Sequence, residues 1–232
     1  MLEGCTPYPA AAAARYRREG FWLGLTVGQA LDRAAAEFGH REALSYGQRR
    51  YTYAEVRQAA DRLAYHFAKL GLEPLDRVVM QLPNVPEFVF AFFALMKIGV
   101  IPVMALRPHR HNEIRHFLNH SGARGYLIPD RIRDFDYRDM AAEMQTENAV
   151  LEHVIVAGEP SPGQVSIDEL LTKPVGDDHE ALLDSRRPDP DEVALMLLSG
   201  GTTALPKLIP RTHDDYLCCF RLCAGVAEIG PQ

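Results

Sequence analysis

Apolar and polar positions change period several times along the chain, and each change predicts an element. Thr26, with Gln29 three residues on, forms a capping box and opens the first well-defined helix. Thr52 and Glu55 repeat the device. The helix behind them carries Val56, Ala59, Ala60, Leu63, Ala64, Phe67 and Ala68 on one stripe, with Gly71 placed to close it. "RVVMQL" then reads as a short strand buried on both faces. A helix from about Pro86 to Ile98 ends at Gly99 and feeds the strand "VIPV". Asn112 is placed to cap a helix running through Leu118 to Gly122, and "GYLI" follows as a strand. A further helix near Tyr137 to Glu147 leads to the strand "HVIV".

This alternation predicts an α/β fold, with largely parallel sheets and helices on both faces. Gly158 to Asp191 is richer in Pro, Gly and acids; it reads as a surface excursion around one short helix, and as a possible subdomain break. The last strand, "VALMLL", delivers the chain into a glycine-rich stretch, and a helix begins after Thr212. The run into "AEIGPQ" lacks a closing element, so residues 1–232 are expected to be cut from a larger fold.

Composition narrows the picture. The 232 residues are 47% hydrophobic and 24% charged, the balance of a globular protein with a real core. A net charge of −6 argues against a nucleic-acid binder, whose affinity rests on a basic surface. No secretory signal is evident, and the most apolar stretch, Phe88 to Met96, is too short to span a bilayer. No membrane partner is expected. Four cysteines, three of them bunched at Cys218, Cys219 and Cys223, do not make a disulfide framework, so a reducing cytoplasm is the expected home.

The candidate chemistry lies in "LLSGGTTALPKLIPRTHDDY", Leu197 to Tyr216. A loop of glycines and hydroxyls beyond the carboxyl end of a strand can wrap an anion with inward-pointing N–H and O–H donors. Ser199, Thr202 and Thr203 supply hydroxyls, Gly200 and Gly201 close approach, and Lys207 a positive charge. An ordinary loop between strands is the plainer alternative. The Walker pattern fails: counted from Gly201, its second glycine falls on Pro206 and its metal-binding hydroxyl on Leu208.

The stretch closely resembles the signature loop of the adenylate-forming enzymes, the acyl- and aryl-acid ligases that activate carboxylates with ATP. Ser199, Gly200, Gly201, Thr202, Thr203, Pro206 and Lys207 match the family pattern, while Ala204 stands where a glycine is usual. "YTYAEVRQAADRLA" and "LMKIGVIPV" resemble two further family features in the right order. "QLPNVPEF", "LRPHRHNEI", "YLIPD" and "LIPRTHDDYL" are similar to the stand-alone aryl-acid adenylating members of siderophore pathways, those acting on 2,3-dihydroxybenzoate or salicylate.

The resemblance implies that an acid is joined to AMP from ATP and then passed to the phosphopantetheine thiol of an aryl carrier protein. It implies that Ser199, Gly200, Gly201, Thr202, Thr203 and Lys207 hold the β- and γ-phosphates, with Lys207 acting in catalysis. Mg2+ is implied too, its ligands expected beyond residue 232. Family members are longer, and the C-terminal lid domain with its catalytic lysine is expected to be absent here. So are the regions that recognise the acid, adenine and ribose. The chain alone is therefore expected to be inactive. A non-catalytic module with this fold, or an acyl-CoA synthetase of the same superfamily, stands as the alternative.

Other groupings carry plainer readings. His109, His111, His116 and His120 cluster, but a zinc site needs a third ligand of defined spacing, and a solvated helix face fits better. Arg107, Arg110 and Arg115 form a basic run, at a carrier-protein surface or simply solvated. Cys219 and Cys223 are expected to pack as small hydrophobes, and His213 with Asp214 to cap a helix.

Overall fold

The computed structural model describes residues 2–200 and 205–230. In chain order the first half comprises α1 (Ala10–Arg18), α2 (Val27–Phe38), β1 (Glu42–Tyr46), β2 (Arg49–Thr52), α3 (Tyr53–Lys69), β3 (Arg77–Met80), α4 (Pro86–Lys97) and β4 (Ile101–Met104). It continues through α5 (His111–Ser121), β5 (Gly125–Pro129), β6 (Arg131–Ile132), β7 (Phe135–Asp136), α6 (Tyr137–Glu147) and β8 (His153–Ala157). Then come β9 (Val165–Ser166), α7 (Ile167–Thr172), α8 (His179–Ser185), β10 (Val193–Leu198), β11 (Leu208–Thr212) and α9 (His213–Val226).

Among the described residues seven strands form one sheet, in the order β11-β10-β4-β3-β5-β8-β9. β10 to β9 run parallel, and β11 alone is antiparallel. The apolar strands are buried on both faces, as a sheet sandwiched by helices requires. One face carries α3 and α4 through Leu63, Phe67, Ala91 and Leu95; the other carries α5 and α6 through Ile114, Phe117, Met140 and Met144.

Both capping boxes form as the sequence implies: Thr26 with Gln29 at α2, and Thr52 with Glu55 at α3. Gly122 closes α5 in the left-handed conformation, at φ 59°. The start of α5 differs from expectation. Arg110, not Asn112, is the cap residue, and its N–H donates to the Glu113 carboxylate at 3.0 Å. The excursion after Gly158 also departs from a single surface helix. It holds α7, α8 and the edge strand β9, and buries Ile167 and Leu170 in the core beneath α3. The β1–β2 hairpin is an addition that the helix-and-strand rhythm did not suggest.

Lys97, within the "LMKIGVIPV" segment, ties three helices. Its ammonium reaches Asp61 of α3 at 2.7 Å and also pairs with Asp32 of α2, while its stem is nearly buried. A methyl added at Gly28 would lie 2.8 Å from Lys97 Cγ, so the absent side chain of Gly28 is what lets α2 lie against α4.

Candidate functional site

Strand order brings three loops together. β10, β4 and β3 are parallel neighbours, so the segments leaving their carboxyl ends emerge side by side. This is where open α/β sheets bind ligands.

The loop leaving β4 is fixed by a buried amide. Gln81, fully buried just past β3, donates from Nε2 to the carbonyls of Leu106 and His109, each at 2.9 Å, and accepts from the Tyr126 hydroxyl. Burial raises the Tyr126 pKa well above its ordinary value, so the phenol remains a donor. Tyr137 donates to the Arg107 carbonyl at 2.9 Å, and the Leu106 N–H donates to His109 Nδ1 at 3.0 Å. Sequence reasoning passed over Gln81, Tyr126 and Tyr137. The available signal was a lone amide ending an apolar strand, a group that must find partners when buried.

The glycine-rich segment joins β10 to β11 as a hairpin. Ser199 closes it twice: its N–H donates to the Lys207 carbonyl at 3.0 Å, and its Oγ accepts from the Lys207 N–H at 2.9 Å. The hydroxyl proton of Ser199 is left to donate elsewhere. Lys207 is exposed, and among the described residues its ammonium has no ion pair or hydrogen bond. Gly200 is exposed too, and among the described residues nothing lies within 4 Å of where a methyl would sit. Gly201, Thr202, Thr203 and Ala204 lie outside the described residues. Ser199, Gly200 and Lys207 are thus brought together at the mouth of one hairpin.

The remaining groupings resolve differently. Among the described residues no three His, Cys, Asp or Glu side chains come together as a possible metal site. The arginine run splits: Arg110 lies over the Phe135 ring at 4.0 Å, while Arg115 pairs with Glu147. Cys219 and Cys223 are exposed rather than packed, and a hydrogen bond with Cys219 raises the Cys223 pKa.

His213 and Asp214 do not cap α9. Thr212 does, its side chain accepting from Asp215 N–H. Both residues are buried anchors to the N-terminal region: Val27 N–H donates to His213 Nδ1 at 3.2 Å, and Asp214 accepts from Gly24 N–H at 2.9 Å and Arg17 at 3.0 Å. Burial holds the His213 pKa down at about 4.

A largely parallel α/β sheet with a hydroxyl- and glycine-bearing segment at its carboxyl edge defines the class of open α/β proteins that bind ligands there, and comparison with known proteins narrows it. The model of the AMP-binding enzyme family matches residues 31–230, and the chain belongs to that family. It is 44% identical to Triostin synthetase I of Streptomyces triostinicus, over 100% of this chain and 42% of that protein. It is 44% identical to the 2,3-dihydroxybenzoate-AMP ligase of Bacillus subtilis, over 94% of this chain and 39% of the ligase. The apo structure of Mycobacterium smegmatis MbtA superposes with a TM-score of 0.82 at 39% identity, over 93% of this chain and 39% of that one. The chain therefore spans about two fifths of the length of such relatives.

Proposed function

We propose that this chain supplies the phosphate-holding part of an aryl-acid–AMP ligase, which activates 2,3-dihydroxybenzoate or salicylate with ATP and hands the acyl group to a carrier-protein phosphopantetheine thiol. The observation that carries the reading is the latched hairpin at the carboxyl ends of β10 and β4, with the Lys207 ammonium unpartnered among the described residues. The acid's own carboxylate, ionised at neutral pH, attacks the α-phosphorus. A bond forms there as the bond to the β-phosphate's bridging oxygen breaks, and the electron pair leaves with pyrophosphate. No enzymic base or nucleophile is required, so catalysis rests on position and on countering phosphate charge.

In this reading the Lys207 ammonium, the Ser199 hydroxyl proton and the loop donors of Gly200, Gly201, Thr202 and Thr203 hold the β- and γ-phosphates. Mg2+ would travel with ATP; the described residues offer it no ligand cluster. Among them, no helix is long and apolar enough to cross a membrane, and the four free cysteines suit a reducing cytoplasm.

ATP–pyrophosphate exchange tests the reading, with 2,3-dihydroxybenzoate, salicylate, benzoate and a fatty acid offered to a protein carrying this chain together with the remaining three fifths of such a ligase. Exchange dependent on a hydroxybenzoate is expected; exchange only with the fatty acid, or with none of the acids, would overturn it. The 232-residue chain by itself is expected to give none.

A further inference from the structure

His116 sits on the face of α5 that runs under the exit limb of the hairpin. One ring nitrogen lies 3.1 Å from the carbonyl oxygen of Pro206. A carbonyl can only accept, so that nitrogen carries the proton and donates. The ring is held on two sides: it stacks on His120 at 5.3 Å and 11°, and lies tilted against the buried Phe117 at 5.8 Å. Leu205, half-exposed, completes a shallow hollow with Asn112, Arg115, His116, Asn119 and His120.

The placement matters because of what surrounds Lys207. Its own N–H and C=O are both taken by Ser199. The preceding carbonyl is taken by His116. The Pro206–Lys207 peptide group is thus fixed from opposite sides, its N–H by Ser199 just past β10 and its carbonyl by α5, while the Lys207 side chain carries no partner among the described residues. We infer that His116 is a positioning residue: it pins the exit limb of the loop to α5 and so fixes the direction in which Lys207 presents its ammonium. This rests on the reading of Lys207 as a phosphate ligand. The bland role of packing α5 predicts a different response to substitution.

Three variants separate the two roles. His116→Phe keeps an aromatic ring to stack on His120 but has no donor; His116→Gln keeps a donor within reach of Pro206; His116→Ala has neither. In the 232-residue chain, hydrogen exchange at the Lys207 amide should quicken on the order of fivefold in the Phe and Ala variants, the factor expected for one neutral hydrogen bond. It should stay near wild type in the Gln variant, with exchange in β3 unchanged in all three. In a ligase carrying these substitutions, KM for pyrophosphate should rise by a similar factor in Phe and Ala and be rescued in Gln. Wild-type amide exchange in His116→Phe would overturn the proposal, as would an unchanged KM. Absence of pyrophosphate exchange in every protein, wild type included, would overturn the ligase reading instead, while the amide readout still decided the anchor.

Discussion

At the scale of single residues, Lys207 and Gly200 make separable claims. Lys207 is an exposed cation whose backbone is held by Ser199 and whose charge nothing among the described residues neutralises. Lys207→Ala should leave melting unchanged, because an exposed side chain contributes little packing. A charge-assisted contact to phosphate is worth roughly 1.5–3 kcal/mol, so in a ligase carrying this chain, on the proposed role of Lys207, adenylation should slow by about one to two powers of ten. If the contact strengthens as charge moves onto pyrophosphate, the loss falls on kcat more than on KM for ATP. Steady-state kinetics read the split, and unchanged values of both would remove Lys207 from the mechanism. Gly200 makes the complementary claim. Among the described residues a methyl there meets no atom within 4 Å, and the residue has no left-handed φ to demand glycine. Gly200→Ala should therefore hold or slightly raise stability, by up to about 1 kcal/mol through the unfolded chain. A loss of pyrophosphate exchange beside an undiminished melting temperature would mean that a ligand, not the fold, needs the space.

At the scale of elements, α9 is docked by its first turn. His213 is buried as the neutral imidazole, accepting from Val27 N–H, with its pKa held at about 4 against an ordinary 6.5. A depressed folded pKa means that the unfolded chain binds the extra proton first. Its stabilisation is complete above pH about 6.5 and is lost as pH falls toward 4, by an amount on the order of 3 kcal/mol. His213→Asn keeps an acceptor for Val27 N–H but cannot titrate, so denaturant midpoints should fall less steeply between pH 6.5 and 4 than in the wild type. Equal slopes would show that other groups set the acid limb. This docking was hidden in the sequence because its partners are distant: Arg17, Gly24 and Val27 lie 197, 190 and 186 positions away. Local chemistry was readable where it is local. Thr26–Gln29 and Thr52–Glu55 announced their helices because a capping box is complete within four residues. β11 was missed for the opposite reason. "LIPRT" is short, half-polar, and contains Pro210, which only an edge strand tolerates; its strand character comes from pairing with β10. The signature loop was legible by pattern, whereas its closure by Ser199 and its contact with α5 required the fold.

At the scale of the molecule, burial is uneven. The central strands and the inner faces of their covering helices are buried, but in α9 the buried residues are His213, Asp214 and Leu217. Further along, Phe220, Leu222, Val226 and Ile229 are 68%, 55%, 87% and 73% exposed. Soluble monomers seldom leave so many large apolar side chains uncovered in one short segment. The 232-residue chain should therefore self-associate in a concentration-dependent way, and sedimentation velocity should show its mean size growing with loading. Phe220→Ser together with Val226→Ser should reduce that growth without lowering the melting temperature. A single monomeric species at every concentration would mean that this surface is inert.

The Ser199–Lys207 closure also divides the labour of the hairpin. Because the strands are clasped below it, a longer segment would cost the fold little: doubling the length of such a loop costs only about 0.6 kcal/mol. Drift in that segment would thus escape any selection that acts through folding alone. A lineage that no longer needed a ligand there could lengthen this segment while its protein stayed abundant and well folded, and a library sorted by heat resistance would retain such variants alongside those that bind. Under that closure, heat resistance and the keeping of a ligand would be separately inherited traits.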